Sequence, residues 1–595
     1  MVRVPALSVL VALVFLSGCL QATDPLDLGA DSGLLGNLGG APGETVTSVF
    51  PGEYDFEGRY SRVLEAGTLD ILPGERIVVP SALDGADILM GVHRPKTDEP
   101  VPVLLFASPY FGFIGGTNDV THRLGAFGNL VENFVPHGYA VVGLAIRGTG
   151  GAGGCNDLMG PEETADLDQA VTWLGTQDWS NGNIAMTGVS YDGSTPWAVA
   201  STGNPHLKTI IPISGVPDMY GLMYRNGTSE SRGPVVLNAL YYGGNIVAGT
   251  ATPTQMAERV VCPEAMKGIG WSVYTGLTGA HDPEGFWKER DRKPDVMANY
   301  KGSVFSVQGL QDWNVDPSQV VPWVDELERS GIRTKQLLGQ WAHAWPDSIG
   351  EKGERAEDFR ADHNEILLRW LDQELKGKVV DTGAPVQVRD NLGRWRNEAH
   401  YPPHDTAWTT LHLTPDGLEE TASGEKSVLL RPAVQEGWFP YPPEETGEWI
   451  DLSYGPVADD LLVVGLPKVH VAVTPLGPGS SMAAYLYERD ADGQLTRLGW
   501  TSMNLAFADG GTERKEVVAG ETIVAKMEVQ PMDGVVRAGN ELVLRVWVYA
   551  DADRLPSLPP SPVLLELGHD LGSVLKLPSV ERGAEVYFEV PVPEE

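Results

Sequence analysis

Short apolar runs alternate with stretches of helical spacing through the first two thirds of this chain. Residues 101–106, 140–146, 184–187, 210–213, 304–307 and 336–338 are such runs, each long enough for a strand. Between the second and third, residues 162–174 place Ala165, Leu167, Ala170, Val171 and Leu174 on one side at helical spacing. Continuous apolar strands separated by helices predict a parallel sheet covered on both faces. Such a sheet carries its site at the carboxyl ends of its strands. The rhythm fails between about 217 and 300, where Met219, Tyr220, Met223, Tyr224, Tyr241, Tyr242, Trp271, Tyr274, Phe286 and Trp287 crowd together. An insertion here is expected to lie over the strand ends as a cap.

After about 380 the period changes to two. Val469, Val471 and Val473 alternate with Lys468, His470, Ala472 and Thr474, and Leu542, Leu544, Val546 and Val548 do the same further on. Residues 408–414 and 586–590 are similar, with Pro- and Gly-rich turns between the runs. An all-β sandwich is expected. The domains predicted are a targeting segment (1–19), a Gly-rich tether (20–45), an α/β domain (46–375, cap about 217–300) and the β domain (376–595).

The first nineteen residues start with Arg3, run through a short apolar stretch and end in Leu16-Ser17-Gly18-Cys19. As a helix the apolar stretch spans roughly 18 Å, too short for a bilayer core. It reads as an export signal. Its last four residues resemble a bacterial lipobox, which would make Cys19 the lipidated first residue of an exported, cell-surface or periplasmic lipoprotein held at a membrane. Cys155 and Cys262 remain; they either pair, as exported cysteines can, or stay as two buried thiols.

Eighty acidic residues against 43 basic ones give a formal charge of −37. A surface that negative repels phosphate backbones and argues against nucleic acid as a partner. It serves solubility, and it suits a salt-rich medium as well. No CxxC, HExxH or zinc-like spacing occurs, so neither a metal nor another cofactor is implied.

The densest chemistry lies at Gly188-Val189-Ser190-Tyr191-Asp192-Gly193, directly after the 184–187 run. Gly-x-Ser-x-Gly between a strand and a helix is a nucleophile elbow, which lifts the serine hydroxyl into a cleft. Serine needs a base oriented by an acid, and in this fold class the chain order is Ser, acid, His. Asp312 ends the run that starts at Val304, and His343 follows the 336–338 run as the first histidine after that acid. Asp316 is the rival acid, a turn further from its strand. The backbone N–H of Tyr191 is one oxyanion donor. Tyr110, in Ser108-Pro109-Tyr110 after an early strand, is placed either to supply the second or simply to bond into its loop. Gly148-Thr149-Gly150-Gly151-Ala152-Gly153 fits GxGxxG, but a dinucleotide site needs a helix directly behind the last glycine, and residues 155–161 intervene. Asn226-Gly227-Thr228 is a formal glycosylation sequon, read as chance.

Several of these segments resemble the Xaa-Pro dipeptidyl-peptidase and cocaine-esterase family of α/β-hydrolases. They are Gly188 to Gly193 with tyrosine after the serine, Ser108-Pro109-Tyr110, Arg147-Gly148-Thr149-Gly150, Phe286-Trp287-Lys288-Glu289-Arg290, Gly309-Leu310-Gln311-Asp312-Trp313-Asn314-Val315, and Asp390-Asn391-Leu392-Gly393-Arg394-Trp395. The resemblance covers nearly everything after about residue 70. It implies an α/β-hydrolase domain with a helical cap, followed by a jelly-roll, galactose-binding-like sandwich. It also implies the oxyanion role for Tyr110 and the acid role for Asp312 over Asp316. The implied activity is acyl-enzyme hydrolysis without a cofactor, releasing N-terminal Xaa-Pro dipeptides. Ester or amide hydrolysis of small acyl compounds is the alternative. An inactive surface binding protein is a third reading, which the intact order of serine, acid and histidine opposes.

Overall fold

The computed structural model describes residues 61, 63, 65–223, 241–263, 285–312, 314–347, 360, 362–434, 447–510, 514–550, 561–568 and 572–590. The expected signal segment with Cys19, the expected tether, the sequon and much of the expected cap, including Tyr224, Trp271 and Tyr274, lie outside them.

An eleven-stranded sheet forms the centre of the N-terminal half. Its first ten strands are β1 (Glu75–Pro80), β2 (Asp87–His93), β3 (Val101–Ser108), β4 (Ala140–Ala145), β5 (Ser180–Val189), β6 (Leu207–Ile213), β7 (Ser303–Gly309), β8 (Thr334–Gly339), β9 (Val386–Arg389) and β10 (Trp395–Glu398). They run in the order β1-β2-β4-β3-β5-β6-β7-β8-β9-β10, closed by the strand Tyr587–Phe588. From β4 through β3 and on to β9 every neighbour is parallel. These strands are buried on both faces, which is why their apolar residues run on without alternation.

Helices cover both faces. On one side α2 (Pro161–Gly175), α3 (Tyr191–Thr202), α6 (Lys293–Asn299) and α7 (Pro317–Arg329) pack through Leu167, Val171, Trp197, Val296 and Trp323. On the other, α1 (Gly125–Phe134) and α8 (His363–Lys376) contribute Leu130, Phe134, Leu367 and Trp370. Among the described residues two short cap helices, α4 (Met219–Met223) and α5 (Pro253–Val260), complete the set.

The β domain is a sandwich of a nine-stranded and a five-stranded sheet. Val469, Val471 and Val473 from one and Leu542, Leu544, Val546 and Val548 from the other fill its core. The period-two reading is right for these inward positions. The outer face of the Glu541–Ala550 strand is apolar too, because Val543, Trp547 and Tyr549 are buried with Tyr485 and Trp500.

The expected border at 375/376 is not where the sheets part. β9 and β10 extend the hydrolase sheet, and Tyr587–Phe588, expected in the sandwich, pairs with β10. Period-two alternation identifies a strand without saying which sheet holds its edge. A buried ion pair joins the two halves at this place. Arg396 of β10 donates from Nη1 and Nη2 to both carboxylate oxygens of Asp533, at 3.1 and 2.6 Å, and its Nε donates to Glu398.

Candidate active site

Ser190 sits between β5 and α3 at φ 65° and ψ −124°, a conformation a non-glycine residue adopts only under constraint. Packing supplies that constraint. A Cβ on Gly193 would stand 2.5 Å from the Ile213 carbonyl oxygen, and one on Gly188 would stand 2.5 Å from Asp192 Cβ. Only glycine lets the strand, the turn and the helix approach so closely. The Ser190 N–H donates to Ile213 O at 3.0 Å, while its carbonyl accepts the N–H and the hydroxyl of Ser194. The side chain thus stands at the carboxyl end of the sheet, at the N-terminus of α3.

Asp312 and His343 come together. His343 Nδ1 donates to Asp312 Oδ2 at 2.9 Å. The other carboxylate oxygen accepts the N–H groups of Asn314 and Val315, both at 2.8 Å. Burial alone would push the Asp312 carboxyl up. The charge and hydrogen bond of His343, the Val315 N–H and the Ser214 hydroxyl outweigh it and hold the group below its usual range. The rival, Asp316, is fully buried at the start of α7. The loops of acid and base are zipped together: Leu310 N–H donates to Gly339 O and Gln311 N–H to Trp341 O. A Cβ on Gly309 would stand 2.2 Å from that Trp341 oxygen, so glycine is required there. His343 Nε2 is buried and has no hydrogen-bond partner among the described residues, so it is available to take a proton. Ser190 and His343 are both buried, at 7% and 8% exposure.

Tyr110 stands on the loop after β3. Burial, Tyr241 and the Asp192 carboxyl push its phenol far above the ordinary value, and the adjacent Ser190 side chain pulls the other way. The phenol is therefore a proton-bearing donor beside the nucleophile. Its hydroxyl also lies 2.9 Å from that of Tyr241, one of the aromatics of the cap. Burial pushes the carboxyl of Asp192 well up, with Ser108 opposing.

The described cap residues cover the ends of β3 and β4. Arg259 of α5 donates to the carbonyls of Gly150, Ala152 and Asn245, and Gln255 donates to Gly151 and Ala152. The GxGxxG stretch is thus a structural loop whose carbonyls are occupied, and the following helix starts only at Pro161. Cys155 and Cys262 form a disulfide that ties this loop to the end of α5. Arg147 anchors the same loop, donating to Cys155 O and pairing with Asp84, Glu162 and Asp166.

Tyr191 presents its backbone N–H at the elbow, but its side chain leaves in another direction. The phenol donates to Glu163 Oε2 at 2.7 Å. Sequence reasoning missed Glu163, although helical spacing puts this carboxylate on the buried face with Leu167, Ala170 and Leu174.

Comparison with known proteins follows the same outline. Residues 84–345 match the model of the X-Pro dipeptidyl-peptidase (S15) family, and residues 378–551 match that of the X-Pro dipeptidyl-peptidase C-terminal non-catalytic domain. Two bacterial relatives both bear the name "Putative Xaa-Pro dipeptidyl-peptidase". That of Streptomyces avermitilis is 28% identical over 465 residues, covering 70% of this chain and 64% of the relative. That of Bacillus anthracis is 26% identical over 500 residues, covering 76% and 78%. A cocaine esterase of a Rhodococcus species is 25% identical over 391 residues, covering 58% and 63%. Among solved structures, an aminopeptidase from a marine sediment Thaumarchaeota archaeon superimposes with a TM-score of 0.69 at 15% identity, over 86% of this chain and 97% of that one. An α-amino acid ester hydrolase superimposes with a TM-score of 0.68 at 17% identity, over 89% and 100%. At these identities the structural likeness is one of fold.

Proposed function

Because this chain belongs to the X-Pro dipeptidyl-peptidase family of α/β-hydrolases, we propose that it is a serine peptidase that releases N-terminal Xaa-Pro dipeptides through an acyl-enzyme. Ser190 Oγ attacks the prolyl carbonyl while His343 Nε2 takes its proton. The same imidazole then hands the proton to the leaving amine, and water resolves the acyl-enzyme. Asp312 holds the imidazole by Nδ1 and stabilises the imidazolium. The Tyr191 N–H and the Tyr110 hydroxyl receive the tetrahedral oxyanion. The observation that carries this reading is the His343–Asp312 hydrogen bond at 2.9 Å, with Nε2 left without a partner.

Labelling by a fluorophosphonate, lost in Ser190→Ala, tests the nucleophile. A folded wild type that takes no label would favour a binding protein instead. Hydrolysis of small acyl esters is the second reading, favoured by the cocaine-esterase relative. Release of anilide from Gly-Pro-anilide, compared with hydrolysis of acetyl and butyryl esters, separates the two. An ester-only profile rejects the peptidase.

The Leu16-Ser17-Gly18-Cys19 sequence supports a further part of the proposal, an exported lipoprotein anchored through Cys19. Among the described residues no helix is long and apolar enough to cross a membrane. Detergent-phase partition of the expressed full chain, lost in Cys19→Ser, is the expected result; equal partition of both would reject the anchor.

A further inference from the structure

Three segments converge on the phenol of Tyr191, away from the reacting atoms. The Tyr191 hydroxyl donates to Glu163 Oε2 at 2.7 Å and accepts the N–H of Met159 at 2.9 Å. The same N–H also reaches Glu163 Oε2, at 3.1 Å. The first partner starts helix α2; the second ends the loop that leads into it.

That loop is strained. Leu158 and Met159 both adopt positive φ, 53° and 57°, where neither side chain is at ease. Contacts from outside hold it there. Arg290 donates from Nε to Leu158 O at 2.9 Å and from Nη2 to Asp157 O at 2.6 Å. Arg292 donates from Nη2 to Met159 O at 2.5 Å and to Gly160 O at 3.2 Å. Within the loop, the Asp157 carboxylate accepts the N–H groups of Glu162 and Glu163. The arginines of the Phe286 segment therefore spend their donors on loop carbonyls, and the loop in turn grips one tyrosine hydroxyl.

Tyr191 is also the residue whose N–H faces the oxyanion. Its ring is buried at 3% exposure and packs at 5.2 Å from the ring of Tyr241. A phenol fixed at its far end and packed along its length leaves the first residue of α3 little freedom to turn. We infer that Glu163 is a positioning residue for the reaction, setting the Tyr191 N–H toward the oxyanion by holding the Tyr191 hydroxyl. This rests on the serine hydrolase reading above.

The charges around Glu163 give the arrangement a pH signature. Asp157 faces it from the loop, Arg290 and Arg292 from the segment before α6, Arg147 from the end of β4, and Asp166 lies on its own helix. Burial and the Asp157 charge push Glu163 up to about 8. Burial pushes Asp157 up as well, against the pull of Arg290. Below pH 8 the neutral carboxyl still accepts from Tyr191 and Met159. Above it the carboxylate accepts more strongly from both, since these two hydrogen bonds favour the ionised form.

The test compares Glu163→Gln, Glu163→Ala and Tyr191→Phe with wild type, using Gly-Pro-anilide turnover from pH 6 to 10 and the rate of fluorophosphonate labelling. Glu163→Gln keeps the acceptor. It should hold kcat near wild type at neutral pH and lose the rise that ionisation of Glu163 gives wild type near pH 8. Glu163→Ala should lower kcat about tenfold with KM little changed, less than the 10²–10³ expected when an oxyanion donor is removed outright. Tyr191→Phe should match it, and the double variant should be no worse than either single one, as for two residues of one network. Additive losses, a loss confined to KM, or the wild-type rise near pH 8 persisting in Glu163→Gln would each overturn the inference. Where Glu163→Ala does not fold, the other two single variants decide. Wild type that neither labels nor turns over would overturn the hydrolase reading and this inference together; labelled wild type with indifferent Glu163 variants would overturn only the inference.

Discussion

The hydroxyls of Tyr110 and Tyr241 stand 2.9 Å apart, one on the loop after β3 and the other in the insertion after β6. Only one of them can give its proton to the other. If Tyr241 donates, the Tyr110 proton is free to meet an oxyanion at Ser190, so the cap helps to prepare the donor. Tyr110→Phe is expected to lower kcat by about 10²–10³. Tyr241→Phe, which leaves Tyr110 in place, should cost far less, about threefold to tenfold at that scale. Steady-state kinetics on Gly-Pro-anilide check both; equal losses would put Tyr241 on the oxyanion itself.

Asp312→Asn should leave the fold intact and lower kcat by about 10⁴, because the amide favours the wrong imidazole tautomer. The same carboxylate carries a pH-dependent share of stability. Its pKa in the folded protein lies below the unfolded value of about 4. The contribution is therefore present above that pH and lost as pH falls through the folded value. Denaturation midpoints from pH 7 to 3 should show wild type losing more stability than Asp312→Asn over the acid range. Parallel curves would contradict the ionised pair.

The disulfide closes a loop with a sequence separation of 107. In the chain-entropy model, loops of that size gain roughly 4–5 kcal/mol. The Cys155→Ser, Cys262→Ser double variant should unfold at lower urea, and reductant should shift wild type to the same midpoint while leaving the variant unmoved. A wild type indifferent to reductant would show that the bridge contributes nothing to stability.

Breaking the Arg396–Asp533 pair should be costly, since both side chains are fully buried. Asp533→Ala takes away the bidentate partner of a buried cation and leaves it only Glu398, for which about 3–5 kcal/mol is expected. Urea unfolding followed by tryptophan fluorescence measures the loss. A shift below about 1 kcal/mol, the scale of an exposed pair, would mean that water reaches the site in the variant.

What could be read from the sequence follows physical lines. The elbow was legible because a strand, a positive-φ serine and two close-packed glycines leave a local pattern. Asp312 and His343 were legible because each follows an apolar strand of one parallel sheet, whose ends converge. Glu163 was not. Its helical spacing puts it on the buried stripe with Leu167, Ala170 and Leu174 without saying what the carboxyl meets there, and the phenol lies 28 positions away. Arg290 was visible as part of a motif, but its targets, like those of Arg292, are backbone carbonyls, which carry no sequence signal. The edge strands β9 and β10 were hidden for a related reason: alternation identifies a strand, whereas its partner depends on long-range packing.

The sheet that holds the nucleophile is completed by Tyr587–Phe588, paired with β10 across the whole intervening sandwich. During synthesis the nucleophile, acid and base are therefore made long before the strand that covers the open edge of their sheet. Until the sandwich folds and returns that strand, β10 presents unpaired backbone groups to any neighbouring chain. Closures over such long separations are slow. The nascent catalytic half thus passes through a period in which its exposed edge is open to misassembly, and the sandwich is what brings that period to an end.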